Sequence, residues 1–272
     1  MTRKPGESRA ERIRSYYDSK AEAEWDRLDR HRTEFEITLR TLRKHLPTAG
    51  RVLDVGSGPG RYAIELASLG YQLTVVDLSQ ECLALAREKA NEAGVALSAV
   101  HGDGLDLPSL FGNGDFDAVL MLGPLYHLLE REERQQALRG ALSVLRANGL
   151  LFAAFVTRYA SLRRDARLQP ERLRENRAYA ERLLETGLHD RASDFTDSYF
   201  ARPGDAAGEV ESAGFELLEL IGCEGVLAGH EQRVNELEGE DWECWVELNE
   251  RVGRDPEMLA ASDHLLCVAR KS

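Results

Sequence analysis

The sequence predicts an α/β protein built on a doubly wound, mostly parallel sheet of seven strands. Two observations support this prediction. From residue 51 to residue 156, short apolar runs alternate with helical stretches, which is typical of a parallel sheet covered on both faces. The first run ends in a glycine-rich turn, Gly56-Ser57-Gly58-Pro59-Gly60, where a ligand can approach the backbone closely.

The elements of the predicted sheet follow in a regular order. We predict strands at 51–55, 72–76, 96–100, 116–121, 150–156, 215–221 and 262–269. Helices are predicted at about 60–69, 79–93, 130–146 and 204–213. Ser79 is the expected N-cap of the second of these helices.

Helices are also predicted outside the sheet. Residues 8–46 carry apolar residues at helical spacing before Pro47, and a second helical stretch is expected at about 230–252. Seven strands and their helices need only about 200 residues, so the extra length is expected to form a lid. The predicted organisation is an N-terminal helical cap at 1–48, a ligand-binding core at 49–157, a helical lid insertion at 158–203, and the C-terminal part of the core at 204–272.

Composition narrows the class of partner. The chain has 272 residues and a net charge of −12, which disfavours a nucleic-acid partner. No apolar window approaches about 18 residues and the first residues do not resemble a signal peptide, so no membrane association is predicted. The four cysteines are far apart, as expected of reduced thiols in a cytoplasmic protein. We expect a monomer or a homodimer.

The glycine spacing distinguishes between nucleotide ligands. A dinucleotide fingerprint reads G-x-G-x-x-G, but here the spacing is G-x-G-x-G and Arg61 stands where the third dinucleotide glycine belongs. An NAD-dependent oxidoreductase is therefore disfavoured. Asp77 ends the second apolar run, where a carboxylate can accept hydrogen bonds from both hydroxyls of a ribose.

With Asp54 two residues before Gly56, this run resembles motif I of the class I S-adenosylmethionine-dependent methyltransferases. The loop at 122–128 is similar to that of their small-molecule, ubiquinone/menaquinone methyltransferase-like branch. The resemblance covers most of residues 50–156, through further motifs at 76–79, 101–108, 116–119 and 145–151. It implies a Rossmann-like sheet whose last strand is antiparallel. It also implies S-adenosylmethionine as the cofactor and S-adenosylhomocysteine as the product.

The resemblance implies a set of cofactor-binding residues. Asp54 would hold the loop or the cofactor's ammonium, Asp77 the ribose diol and Asp103 the adenine amine. The full set is Tyr17, Asp54, Gly56, Ser57, Gly58, Gly60, Asp77, Leu78, Gly102, Asp103, Gly104, Leu122 and Gly123. The alternative is that Asp54 only caps loop amides and that Asp103 and Asp77 are turn residues.

The acceptor side is expected around the loop at 122–128, because ligands bind beyond the carboxyl ends of parallel strands. Tyr126 and His127 are the candidate catalytic residues there. An imidazole with the usual pKa of about 6.5 suits a general base, but His127 could instead position the ligands. The acceptor-pocket candidates are Tyr16, Trp25 and, in the aromatic segment 195–203, Tyr199; the two N-terminal residues could instead form an aromatic stripe that holds their helix on the core.

The leading hypothesis is a methyltransferase acting on a small-molecule acceptor held under a helical lid. Two alternatives stay open: an RNA- or protein-directed methyltransferase on the same fold, and a non-catalytic S-adenosylmethionine-binding protein. No metal-ligand cluster is recognised in the sequence, and the other histidines, His264 among them, are expected to be solvated or packed. The acceptor atom could be oxygen, nitrogen or carbon.

Overall fold

A seven-stranded sheet forms the centre of the computed structural model, which describes residues 7–190 and 196–272. Its strands run in the order β3-β2-β1-β4-β5-β9-β8, and a separate ribbon pairs β6 with β7. The first five strands are parallel, and β9 is antiparallel to both of its neighbours. This confirms the predicted fold class. The strand bounds are β1 (Arg51–Val55), β2 (Gln72–Asp77), β3 (Leu97–His101), β4 (Phe116–Met121), β5 (Leu145–Val156), β6 (Leu188–His189), β7 (Ser198–Tyr199), β8 (Phe215–Gly222) and β9 (His264–Lys271).

Helices cover both faces of the sheet. Their bounds are α1 (Arg9–Asp18), α2 (Ala21–Trp25), α3 (Arg27–Arg30), α4 (Arg32–His45), α5 (Arg61–Ser68), α6 (Gln80–Glu92), α7 (Leu107–Leu110), α8 (Arg131–Val144), α9 (Arg158–Leu168), α10 (Arg177–Thr186), α11 (Pro203–Ser212), α12 (Glu231–Asn235) and α13 (Gly239–Val252). Within the two described ranges, no helix has the length and apolar character needed to cross a membrane.

Strand alternation divides the core into two apolar layers. Leu53 of β1 packs in the layer that α8 and α11 cover, whereas its neighbour Val52 packs in the layer beneath α4, α5 and α13. Successive strand side chains point to opposite faces, so one short run of residues supplies both layers. The central strand β4 is buried along its whole length, as expected of a parallel strand covered on both sides.

The N-terminal region forms four helices. The first, α1, starts at a capping box in which the Ser8 hydroxyl accepts from the Glu11 amide and the Glu11 carboxylate accepts from the Ser8 amide. In α4 the apolar side chains of Ile37 and Leu42 are fully buried against the sheet. By contrast α1 has no buried residue, and it lies beside α6, where the Ser79 hydroxyl donates to Asp18 at 2.7 Å.

Two helices, α9 and α10, follow β5 within the predicted insertion. An apolar cluster joins them to the turn after β4 and consists of Tyr126, Val156, Tyr179, Leu183 and Phe200. The insertion therefore packs against the carboxyl ends of the central strands. Phe195, which belongs to the predicted aromatic segment, lies outside the described residues. The lid role of this insertion and the four domain boundaries stay predictions.

Candidate active site

A cleft lies at the carboxyl ends of β1, β2 and β4, beneath α1 and α2. Fourteen of the predicted site residues line it: Tyr17, Asp54, Gly56, Ser57, Gly58, Asp77, Leu78, Gly102, Asp103, Gly104, Leu122, Gly123, Tyr126 and His127. The topology explains why residues so far apart in the chain meet here, since each loop leaves its strand at the same edge of the sheet.

The glycine loop turns through three left-handed residues, with φ of 65° at Gly56, 54° at Gly58 and 81° at Gly60. A Cβ on Gly58 would meet nothing within 4 Å, so this residue opens the loop toward the cleft. A Cβ on Gly60 would instead lie 3.2 Å from that of Ala86. Gly60 therefore serves the packing of α5 on α6, and it is not among the residues that line the cleft.

Two buried carboxylates lie beneath the loop. Asp77 accepts backbone hydrogen bonds from Gly58 and Ser79, each at 2.8 Å. Each carboxylate oxygen has two lone pairs, so Asp77 can accept further donors from a ligand. Burial and the charge of Asp77 raise the pKa of Asp54 to about 7. No described residue donates a hydrogen bond to the Asp54 carboxylate, so a cationic ligand group would be stabilised beside it.

A third carboxylate, Asp103, is held at the other end of the cleft. It accepts from Nη2 of Arg9 at 2.6 Å and from the Leu105 amide at 3.0 Å. Nε of Arg9 also lies 3.5 Å from Glu133, so this guanidinium joins α1 to the loop after β3 and to α8. Gly102 packs closely against Leu110, because a Cβ there would lie 2.6 Å from Cδ1 of that side chain, which would have to shift.

His127 joins three parts of the chain at the opposite wall. Its Nε2 lies 2.8 Å from the Tyr17 hydroxyl of α1, and its Nδ1 lies 2.7 Å from the Thr196 hydroxyl. Burial and the charge of Arg9 lower the pKa of His127 to about 3, so the ring is neutral near pH 7. A ring that is this hard to protonate is a weak general base, and the geometry therefore favours the positioning role.

A network of charges extends from the cleft toward β9. The guanidinium of Arg27 donates to both carboxylate oxygens of Glu34, at 2.7 and 3.0 Å, and its Nε lies 3.6 Å from Glu24. His264 pairs through Nδ1 with Glu224 at 2.5 Å. Burial lowers the pKa of His264, but Glu34 and Glu224 outweigh it and raise that pKa to about 9. Glu34, Glu224 and His264 thus form ion pairs, although their ligand atoms lie within 4.8 Å of one another as in a metal site.

Comparisons with known proteins identify the family. Residues 52–149 match the family described as "Methyltransferase domain". A glycine/sarcosine N-methyltransferase of Aphanothece halophytica is 36% identical over 132 residues, which is 47% of this chain and 49% of that protein. A ubiquinone biosynthesis O-methyltransferase of Xanthomonas axonopodis pv. citri is 31% identical over 176 residues, 65% of this chain and 66% of that protein. The chain belongs to the class I S-adenosylmethionine-dependent methyltransferases.

Solved structures of this family share the fold. A Thermotoga maritima structure described as an S-adenosylmethionine-dependent methyltransferase and possible histamine N-methyltransferase superposes with a TM-score of 0.63 at 18% identity, covering 94% of this chain and 98% of that one. A family member from Methanosarcina mazei gives a TM-score of 0.58 at 17% identity, over 85% and 96% of the two chains. The chain spans only about half to two thirds of the two curated relatives, so its own activity is a matter for proposal.

The cleft fits the cofactor of the family, S-adenosylmethionine. Its ammonium needs an anion, and the buried carboxylate of Asp54 has no cationic partner among the residues that the structure describes. Its ribose and adenine need acceptors, and Asp77 and Asp103 face the same cleft. The open space over Gly58 leaves room for a ligand to contact the loop backbone.

Three predicted acceptor-pocket residues lie away from the cleft lining. Tyr16 follows the outer face of α1, with Nζ of Lys20 4.2 Å from its ring centre, because adjacent helical residues are about 100° apart and Tyr17 takes the inward direction. Trp25 packs beneath the Arg61 guanidinium at 4.7 Å. Tyr199 is buried in the core, where Arg134 stacks on its ring at 3.7 Å.

Five residues of the site are not indicated by any sequence pattern: Arg9, Glu24, Arg27, Glu34 and Thr196. The four N-terminal residues lie among dense surface-like charges, and no local pattern distinguishes them from solvated side chains. Thr196 contacts His127 across 69 positions of sequence. Such long-range pairs depend on how the helices pack over the sheet, which a single sequence does not encode locally.

Proposed function

We propose that the protein transfers a methyl group from S-adenosylmethionine to a small-molecule acceptor. The observation that carries this proposal is the shape of the cleft. One end presents the glycine loop with Asp54 and Asp77, and the other end is enclosed by α1, α2 and the turn that carries His127. One of the two relatives is named an N-methyltransferase and the other an O-methyltransferase, so their names do not decide the acceptor atom.

Three parts of the cofactor would each contact a different carboxylate. Asp54 would pair with the ammonium, Asp77 would accept from the ribose hydroxyls, and Asp103 would accept from the adenine amine. Arg9 already holds Asp103 in place, so it would fix α1 over the adenine. The remaining residues of the predicted cofactor set, from Gly56 to Gly58 and around Leu78, Gly104 and Leu122, would contact the ligand through backbone and apolar surface.

The chemistry proposed here depends mainly on positioning. The cofactor supplies a methyl group on a sulfonium, which is already a good leaving group. Holding the acceptor in line with that methyl group can contribute about 7–11 kcal/mol of the barrier reduction. Tyr17, Tyr126 and His127 are suited to this task, because their rings are mutually packed and exclude water from one wall of the cleft.

An RNA- or protein-directed enzyme is less compatible with the structure. Such an acceptor needs an open and positive face. The described arginines that line this cleft are instead paired with carboxylates, Arg9 with Asp103, Arg27 with Glu34 and Arg61 with Asp29. A non-catalytic binder would share the cofactor site, and only turnover separates it from an enzyme.

Calorimetry with S-adenosylhomocysteine tests the proposal directly. We expect one binding site per chain, and we expect methyl transfer from labelled S-adenosylmethionine to a small molecule in a mixed acceptor library. Absence of binding by either cofactor form would contradict the proposal. Binding without turnover of any acceptor class would identify the non-catalytic alternative.

Binding of S-adenosylhomocysteine is expected to weaken as the pH falls below about 7. The pKa of Asp54 is about 7 in the free protein, and only the ionised carboxylate pairs with the ligand's ammonium. Affinity is therefore complete above pH 7 and declines by up to about tenfold per pH unit below it. Calorimetry at pH 8 and pH 6 checks this, with circular dichroism confirming the fold at both.

The matched control is Asp54→Asn, whose neutral amide does not titrate. We expect its affinity to be lower at pH 8 and nearly constant between pH 8 and 6. If the wild-type affinity is equally constant, Asp54 does not bind the ammonium.

A further inference from the structure

We propose that the acceptor is an amine, which the carboxylate of Glu24 binds in its cationic form at the end of the cleft that Tyr17 and Tyr126 line. This inference rests on the proposed function, because it concerns the acceptor end of the same cleft. It assigns a chemical class of substrate, where the names of the relatives leave nitrogen and oxygen acceptors equally open.

The cations around this end of the cleft are already paired with carboxylates. Arg27 uses both Nη atoms on Glu34, and His264 is paired with Glu224. Both cations of the network, Arg27 and His264, are therefore already paired. Among the described residues, the ion pair that Glu24 makes is with Nε of Arg27 at 3.6 Å, which is longer than a hydrogen bond. Glu24, Asp54 and Asp77 are thus carboxylates that face the cleft without a hydrogen bond from a described cationic side chain. The proposed function assigns Asp54 and Asp77 to the cofactor, which leaves Glu24 for the acceptor.

The Glu24 carboxylate lies in a confined place. The Glu24 side chain is 20% exposed and belongs to the cleft lining. Burial raises the pKa of Glu24, and the charges of Arg27, Lys20 and Arg30 only partly oppose this effect. A bound ammonium would supply the missing counter-charge, whereas a carboxylate or phosphate on the acceptor would meet a negative wall.

The other walls of the cleft carry aromatic and apolar side chains. Tyr17, Tyr62 and Tyr126 line the same cleft, together with the apolar side chains of Leu28 and Leu122. Aromatic faces attract ammonium groups, and apolar walls suit the carbon skeleton that carries one. Among the residues that the structure describes, Arg27 and Arg61 of this lining are both paired with acids, so neither is available to an anionic acceptor.

The transfer step then balances as follows. The bound ammonium loses one proton to the Glu24 carboxylate, which leaves a neutral amine with a free lone pair. The nitrogen forms its new bond to the methyl carbon while the carbon–sulfur bond breaks, and that electron pair stays on sulfur. The products are an N-methylammonium and S-adenosylhomocysteine, and the proton on Glu24 passes to solvent when the product leaves.

The test compares matched ligands on the protein saturated with S-adenosylhomocysteine. The probes are a panel of primary and secondary amines headed by 2-phenylethylamine, each with its isosteric alcohol and carboxylate, here 2-phenylethanol and phenylacetate. We expect at least one amine to bind about tenfold or more tightly than its two partners, as a charge-assisted hydrogen bond implies. Thermal shift and calorimetry measure binding, and mass spectrometry shows which atom is methylated in turnover.

Two variants assign the effect to Glu24. Glu24→Gln should weaken amine binding by about tenfold or more while leaving the affinity for S-adenosylhomocysteine within about twofold. Glu22→Gln, an exposed glutamate of the same helix, should change neither. An amine affinity that Glu24→Gln leaves intact would overturn the inference.

The remaining outcomes are also decisive. Preferential binding or methylation of the alcohols or carboxylates, or no binding by any amine of the panel, overturns the inference while the methyltransferase proposal stands. Failure of the wild-type protein to bind S-adenosylhomocysteine would instead defeat the proposed function. The two failures are therefore distinguishable.

Discussion

Asp77→Asn is expected to weaken S-adenosylhomocysteine binding by at least about 100-fold. A carboxylate that accepts from two ribose hydroxyls makes two charge-assisted hydrogen bonds, each contributing about 1.5–3 kcal/mol. Asparagine offers one acceptor oxygen and presents N–H groups where an acceptor is needed. It also disturbs the loop, because Asp77 accepts from the Gly58 and Ser79 amides. Calorimetry measures the loss.

The matched control for this prediction is Asp106→Asn. Asp106 is exposed and precedes α7, outside the residues that line the cleft. The affinity of the Asp106→Asn variant for S-adenosylhomocysteine should stay within about twofold of the wild type. Thermal melting of the free proteins separates a binding defect from a folding defect. An Asp77→Asn protein that is folded and binds within about tenfold of the wild type would refute the ribose role.

His264→Gln is expected to lower the free energy of unfolding by about 3–5 kcal/mol. His264 lies between Glu34 and Glu224, and Glu224 is almost completely buried at 1% exposure. Removing the cation leaves a buried carboxylate without its counter-charge, which costs about this amount in other proteins. Urea unfolding at pH 7 measures the change, which corresponds to roughly 10 °C in melting temperature.

The pH dependence provides a second signature of the same pair. The pKa of His264 in the folded protein is about 9, above the unfolded value of about 6.5. The stabilisation is therefore complete below pH 6.5 and is lost as the pH rises through 9. The wild type should lose stability between pH 7 and pH 10 more steeply than His264→Gln. His230→Gln, at an exposed histidine, should match the wild type throughout; equal pH profiles in all three would contradict the assignment.

The fold, and the meeting of the glycine loop with Asp54 and Asp77 in one cleft, can be predicted from the sequence for a physical reason, and the cofactor roles of these residues stay predictions. Asp54, the glycine loop and Asp77 each lie at the end of a strand, so their positions follow from local pattern and sheet topology alone. The walls that the N-terminal helix α1 forms are different. They depend on contacts such as Arg9–Asp103, 94 positions apart, and Tyr17–His127, 110 positions apart. These depend on helix packing that no local motif reports.

The tyrosine pair of α1 shows the limit most clearly. Tyr16 and Tyr17 are neighbours of identical chemistry, yet only Tyr17 lines the cleft, and nothing in their spacing distinguishes the two. The pattern over 8–46 predicts a helical stretch, whereas the structure has four helices, interrupted at residues 19–20, 26 and 31. An interruption changes the helical phase of the residues that follow, so the direction of Trp25 does not follow from spacing.

Side-chain contacts hold α1 along its whole length. Arg9 contacts Asp103 and Glu133, Tyr17 contacts His127, and Asp18 accepts from the Ser79 hydroxyl. A movement that lifts this helix from the cleft would have to break these contacts together. It would uncover the Asp103 side and the His127 side of the cleft at once, so both sides would open as one.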